Sequence, residues 1–138
     1  MENLAIIDFI PHRKPFIMVS SIQKIKANEI TTTFKIAQEN IFCDSGKFKV
    51  GGLIENVAQS AAIYAGNLLK QEGKQIPIAF ISSIKNIEVF KLPLAGETIT
   101  TVAKKIDKIL DFEIFKGEIF DQEKHKICEC ELRFYIQN

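Results

Sequence analysis

The sequence predicts an α+β fold in which five to six antiparallel strands surround one long helix. From about residue 53 to 71, apolar residues recur at three- and four-residue steps, the period of an amphipathic helix. The segments around it alternate between apolar and polar residues or are rich in β-branched and aromatic residues, which is typical of strands. Because short turns join these strands, we expect an antiparallel meander.

The predicted helix has small residues on its inward stripe, including Ala58, Ala61, Ala62 and Ala65. It spans roughly 28 Å at 1.5 Å per residue, and Gly73 marks its end. A sheet that curls around the helix would bury this alanine stripe.

Segments with the strand pattern lie both before and after the helix in the sequence. We also predict a short helix at 4–10, a loop at 44–46, and turns at 93–96, 110–111 and 121–124. The strands are expected at 16–26, 29–37, 76–90, 97–106, 112–120 and 128–136.

Composition limits the classes of function. A chain of 138 residues suits one domain, 1–138. The net charge of +1 gives no basic field, so nucleic acid is not an expected partner. No apolar run reaches the roughly 18 residues that a membrane span needs. The N-terminus lacks a signal-peptide pattern, so we expect a cytoplasmic protein.

The three cysteines indicate neither a disulfide framework nor a metal site. Their odd count argues against secretion with paired disulfides. Cys128 and Cys130 share one face of the last strand, and we interpret them as buried free thiols. Neither His12 nor His125 has zinc-ligand spacing with Cys43 or this pair. We therefore expect no metal and no cofactor.

Three segments, in order, resemble the 3-hydroxyacyl-[acyl-carrier-protein] dehydratases. Residues 10–19, Ile-Pro-His-Arg-Lys-Pro-Phe-Ile-Met-Val, are similar to their L-P-H-R-x-P-F-L signature. Residues 55–59, Glu-Asn-Val-Ala-Gln, resemble their E-A-M-A-Q helix start, and residues 86–97 resemble their K-x-x-F-x-x-P-V-x-P-G-D segment. The resemblance implies a hotdog fold, a curved antiparallel sheet wrapped around one long central α-helix. It also implies a dimer with acyl tunnels at the subunit interface.

The chain departs from that family at one important position. The family's catalytic histidine, in an H-F-P motif before the helix, has no counterpart in residues 40–50. The usual P-G before the helix is also replaced, by Val50-Gly51-Gly52. These changes resemble a divergent branch found with aryl-polyene or flexirubin-type pigment synthesis, which keeps the L-P-H histidine and the helix glutamate.

His12 and Glu55 are the candidate catalytic residues. Dehydration needs a base for the C2 proton and an acid for the departing C3 hydroxyl, and an imidazole with a pKa near 6.5 suits proton transfer near neutrality. The base role requires His12 of one subunit to approach Glu55 of another. Two structural interpretations stay open: His12 packs the N-terminal segment through hydrogen bonds, and Glu55, in the first helical turn, complements the helix dipole.

The candidate substrate-binding residues are Val50, Gly51, Gly52 and Gln59. The first three lie at the helix N-terminus, where backbone N–H groups polarise a thioester carbonyl. Gln59 shares the helix face of Glu55, and a purely structural role fits it as well. Asp44, in the loop of the missing histidine, is a candidate for orienting a water molecule, although loop capping explains it too.

Three functions are consistent with these residues. The first is dehydration of 3-hydroxyacyl thioesters carried on acyl carrier protein to trans-2-enoyl thioesters, in fatty-acid or polyene-type synthesis. The second is a hotdog-fold acyl thioesterase, and the third is an inactive acyl-binding or partner subunit of a dehydratase. The expected partner is an acyl thioester of acyl carrier protein or CoA. We expect a homodimer, with a higher oligomer or a heterodimer as alternatives.

Overall fold

A computed structural model describes residues 6–137. One helix, α1 (Val50–Gln71), packs against a six-stranded antiparallel sheet, and a small two-stranded sheet precedes the helix. This arrangement confirms the predicted α+β hotdog fold. The strands are β1 (Ser21–Lys26), β2 (Glu29–Lys35), β3 (Cys43–Asp44), β4 (Lys47–Phe48), β5 (Ile78–Val89), β6 (Thr98–Ile109), β7 (Phe112–Phe120) and β8 (Lys126–Gln137).

The strand order differs from the predicted meander. The large sheet runs β1-β2-β6-β7-β8-β5, so only β1–β2 and β6–β7–β8 are joined as successive hairpins. The meander prediction is wrong because α1 intervenes between β2 and β5. The chain leaves the helix at the far edge of the sheet, where β5 pairs with β8, and β6 then pairs with β2.

Several element boundaries also shift. The strand expected at 16–26 begins only at Ser21, because backbone groups of residues 16–18 bond to helix side chains instead. The predicted helix at 4–10 is a 3₁₀ turn, Ile6–Asp8, and residues 4 and 5 lie outside the described range. Helix α1 begins at Val50 rather than Leu53 and ends where predicted, with Gly73 at a φ of +71°.

The core lies between α1 and the concave face of the sheet. Helix α1 packs mainly on β2, β6 and β7. Its approach to β7 is close, since a Cβ at Gly117 would overlap Val57. β8 alternates as predicted, with Cys128, Cys130 and Leu132 buried.

Both β8 cysteines are free thiols, which confirms the prediction. Burial raises the pKa of Cys128 to about 11 and that of Cys130 to about 12. These thiols therefore belong to the core rather than to a reactive site. In the part of the chain that is described, no helix combines the length and apolar character that crossing a membrane requires.

Candidate active site

His12 and Glu55 lie side by side within one chain. The His12 Nε2 atom is 3.8 Å from the Glu55 Oε2 atom, and each side chain is 34% exposed. The sequence-based expectation was an approach between two subunits, but the N-terminal segment folds back over its own helix. The first-turn placement of Glu55 is wrong, since α1 begins at Val50 and its first turn contains no acidic residue. Because dipole effects fade within the first turn, the dipole alone explains Glu55 less well.

Two buried amides of α1 hold the segment that follows His12. The Gln59 Oε1 atom accepts the Met18 N–H at 2.7 Å, and its Nε2 group donates to the Phe16 carbonyl at 2.9 Å. The Asn56 Nδ2 group donates to the Met18 carbonyl at 2.7 Å. Both amides are buried, so these bonds form away from competing water. They fix the chain beside His12 onto the helix that carries Glu55.

Gln59 also orients the carboxylate directly. Its Nε2 group lies 3.0 Å from Glu55 Oε2, one helical turn away. The shared face was predicted, and this contact gives Gln59 a positioning role. Its role in binding substrate stays a prediction.

Asn56 is a site residue that the sequence interpretation missed. Beyond its bond to Met18, its Oδ1 atom accepts the Thr101 hydroxyl, and its carbonyl accepts the Ser60 hydroxyl at 2.8 Å. Ser60 in turn bonds to Thr32 at 2.8 Å. All four side chains are buried, and they connect the helix to β2 and β6. The sequence did contain a signal for this network, because Asn56, Gln59 and Ser60 are polar residues on an otherwise apolar stripe of the helix.

The two ring nitrogens of His12 make no hydrogen bond to the described residues, 6–137. Its Nδ1 atom is buried and has no hydrogen-bond partner among residues 6–137. Its Nε2 atom faces Glu55 at a distance beyond hydrogen-bond range. The interpretation that His12 fixes the N-terminal segment through ring hydrogen bonds therefore finds no support in this geometry.

The pair lies beside an elongated apolar cavity. A space of about 290 Å³ lies between α1 and strands β5, β7 and β8. A second space of about 350 Å³ continues beneath the N-terminal segment toward Leu69 and shares part of the lining. The helix residues that line the two run from Glu55 to Leu69. The shared lining residues are His12, Ala62, Ala65, Ala79, Glu113 and Ile136.

The helix N-terminus lies outside the first cavity. A Cβ at Gly52 would overlap Phe48, and a Cβ at Gly51 would lie 3.2 Å from Phe42. The Gly52 N–H already donates to the Lys49 carbonyl at 3.0 Å. Within one chain, these glycines let the β3–β4 hairpin pack on α1. Substrate binding by Val50, Gly51 and Gly52 stays a prediction.

The other polar candidates lie apart from the cavity. Asp44 is exposed on β3 and accepts the Ser45 hydroxyl at 3.4 Å, a contact within its own turn. His125 is exposed in the β7–β8 turn, 3.7 Å from Asp121. Within residues 6–137, no group of three His, Cys, Asp or Glu side chains is arranged to hold a metal ion.

The fold and the site define a class. A long helix packed against an antiparallel sheet, with a carboxylate and an imidazole beside an apolar cavity, is an arrangement suited to a hotdog-fold enzyme that acts on acyl thioesters. The chain belongs to the ApeP-like family, described as ApeP dehydratase, whose model matches residues 4–138. Family membership makes the chain a dehydratase, a hydro-lyase, as the sequence predicted.

Curated relatives agree with this class. The chain is 28% identical over 134 residues to the 3-hydroxyacyl-[acyl-carrier-protein] dehydratase FabZ of Rickettsia typhi, covering 92% of this chain and 86% of that one. It is also 28% identical over 135 residues to FabZ of Clostridium kluyveri, covering 94% and 91%. The predicted activity on carrier-bound 3-hydroxyacyl thioesters agrees with both.

Solved structures share the fold. The dehydratase heterocomplex ApeI:P from Xenorhabdus doucetiae superposes with a TM-score of 0.88 at 15% identity, covering 99% of this chain and 93% of that chain. A hypothetical thioesterase with coenzyme A from Streptococcus pneumoniae superposes with a TM-score of 0.69 at 14% identity, covering 86% and 85%. At these identities the likeness concerns the fold alone.

Proposed function

We propose that His12 and Glu55 are the catalytic pair with which this protein dehydrates 3-hydroxyacyl thioesters of acyl carrier protein to trans-2-enoyl thioesters. The observation that carries the proposal is the 3.8 Å approach of His12 Nε2 to Glu55 Oε2 beside the apolar cavity. Family membership supports the reaction class, and the cavity supports an acyl chain as the bound group.

The two side chains suit the two proton transfers. His12 Nε2 takes the proton from C2, and the Glu55 carboxyl group gives a proton to the C3 hydroxyl. The C3–O bond breaks, water leaves, and the electron pair of the C2–H bond forms the C2–C3 double bond. The two transfers occur at adjacent carbons, so a separation of 3.8 Å between the groups matches the substrate.

A second subunit along β5 supports the proposed assembly. β5 is an edge strand, and its exposed apolar side chains are Phe80, Ile81, Ile84 and Ile87. Exposed apolar edges tend to pair with another chain. Phe80 and Ile81 also line the first cavity, so a chain at this edge would cover it. A homodimer is our proposal, and the ApeI:P heterocomplex shows that a related fold assembles with an unlike subunit.

The assembly is tested by molar mass in solution. The Ile84→Lys substitution places a charge on the proposed interface, so at equal protein concentration it should convert the dimer to a monomer. Ile109→Lys, at an exposed apolar position on β6 away from β5, is the matched control. A monomeric wild-type protein, or an Ile84→Lys variant that stays dimeric, contradicts this interface.

The activity is tested by mass spectrometry of carrier-bound products. Purified protein receives 3-hydroxyacyl and 2-enoyl thioesters, and loss or gain of water shows dehydration and its reverse. Glu55→Gln should lower turnover by at least ~100-fold, since it removes the proton donor. Glu72→Gln, at the opposite end of the helix, should leave turnover unchanged.

The same assay separates the other candidate functions. Release of free acid would indicate a thioesterase, in which a helix carboxylate activates water. Binding without turnover would indicate a partner subunit, and adding an unlike dehydratase subunit would then restore activity. Full activity of Glu55→Gln contradicts the assigned role of Glu55. A cytoplasmic location stays a prediction.

A further inference from the structure

Glu113 places a carboxylate on the concave face of the sheet. Along β7 it lies in phase with Phe115, Gly117 and Ile119, all of which are buried. Gly117 lies against Val57 of the helix. Since alternate residues of a strand share one face, the Glu113 side chain points inward. It lines both cavities beside α1.

Glu113 keeps acceptor capacity for a ligand. The Lys105 Nζ atom donates to the Glu113 Oε2 atom at 3.5 Å, and the side chains of Glu113 and Lys105 are 14% and 20% exposed, respectively. A carboxylate has about four acceptor positions, and one ammonium group at this distance leaves most of them available. Partly buried ion pairs contribute little net stability, because desolvating both charges offsets their attraction. Stability alone therefore explains this carboxylate poorly.

Apart from His12, the walls that Glu113 shares with these two cavities are apolar. Ala62, Ala65 and Ile136 line the same two cavities. A plain alkyl chain passing through would remove water from the carboxylate without returning a hydrogen bond, which is costly. A chain with a hydroxyl group at this level would return that bond.

We propose that Glu113 is a specificity-determining residue that selects acyl chains carrying a hydroxyl or a similar hydrogen-bond donor beyond the reacting carbons. The inference rests on the proposed function only in placing the thioester end of the acyl group beside Glu55. Besides His12, the lining that the two cavities share with Glu113 includes Ala62 and Ala65, which lie about 10–15 Å along α1 from Glu55 at 1.5 Å per residue. The donor group is therefore expected at this level of the helix, within about 15 Å of the thioester.

The test measures binding, so it is separate from turnover. The probes are 3-hydroxyacyl pantetheine amides of three chain lengths, each made with and without a hydroxyl at the far end. Calorimetry should show that wild type prefers the hydroxylated probe by about tenfold at the length that reaches Glu113. Glu113→Leu should abolish this preference and Glu113→Gln should reduce it. Glu118→Gln, on the opposite face of β7, should leave it unchanged.

Each binding result either supports or overturns the proposed role of Glu113. Equal or tighter binding of the plain chain by wild type overturns the proposal, as does a preference that persists in Glu113→Leu, or no binding of any probe. If Glu113→Leu does not fold, Glu113→Gln decides, and an unchanged preference overturns the proposal. If the preference is present but the matching thioesters are not dehydrated, Glu113 keeps its role and the proposed function fails.

Discussion

The Nε2 group of Gln59 donates to Glu55 Oε2 at 3.0 Å and to the Phe16 carbonyl at 2.9 Å, while its Oε1 atom accepts the Met18 N–H at 2.7 Å. One buried side chain thus sets both the carboxylate and the segment that follows His12. The relative position of the two catalytic candidates depends on this residue more than on any contact between them.

Replacing Gln59 with Met should reduce both stability and activity. The Met18 N–H would lose its partner while staying buried, at a cost of about 1–3 kcal/mol. Glu55 would lose its orienting donor, so kcat should fall even where the variant is fully folded. Urea unfolding and turnover measure the two effects. Gln71→Met, an exposed glutamine of the same helix, is the control, and equal behaviour of the two variants would contradict the positioning role.

Replacing His12 with Asn should lower turnover by about 100-fold or more, the usual contribution of a general base. His125→Asn tests the other histidine, which is exposed, and should behave as wild type. If the two variants lose similar activity, His12 is not the base.

Replacing Gly117 with Ala should destabilise the fold by about 1–3 kcal/mol, because the added methyl group overlaps Val57. Val57→Ala should recover part of this loss in the double variant, since neighbouring substitutions couple. Chemical unfolding of the four proteins measures the coupling. Lys116→Ala, at an exposed position on the same strand, is the control. Strictly additive effects of Gly117→Ala and Val57→Ala would show that the two positions are not in steric contact.

The burial of Cys128 and Cys130 should be visible in thiol labelling and in the pH dependence of stability. Burial raises the pKa of Cys128 to about 11 and of Cys130 to about 12 from a usual 9.0. Burial also raises the pKa of Cys43, but this thiol is only partly buried. Near pH 8, iodoacetamide should therefore modify Cys43 slowly and leave Cys128 and Cys130 unmodified in the native protein. As pH rises above about 9, the unfolded thiols ionise first, so the free energy of unfolding should fall until the folded thiols titrate. Cys130→Ala should flatten this decline, and rapid labelling of all three thiols would contradict the burial.

The sequence was sufficient to locate α1 and the six strands of the large sheet, but not β3 and β4 or the order in which the strands pair. Periodicity located α1 and β7, since both bury one clear face. It could not place β5 beside β8, because strand pairing depends on how the sheet closes around the helix. The strand expected from residue 16 began later for a similar reason: its backbone bonds to Gln59 and Asn56, which are distant in sequence.

The candidate site was predictable in part. His12 and Glu55 were identified through motif resemblance, but their meeting within one chain depends on a fold-back that periodicity does not encode. Glu113 was missed because a single charged residue in an alternating strand gives no sign of the cavity it faces. Asn56 was missed because its partners, Met18 and Thr101, come from distant segments.

The hydrogen bonds of Asn56 and Gln59 to the segment after His12 also determine how many candidate active sites an assembly contains. Since each chain carries its own imidazole and carboxylate on one rigid unit, two associated copies hold two complete pairs. Activity in mixed assemblies should then fall in proportion to the fraction of damaged subunits. Mixing Glu55→Gln subunits with His12→Asn subunits should restore no activity. If the two groups of one site came from different subunits, the mixture would regain activity.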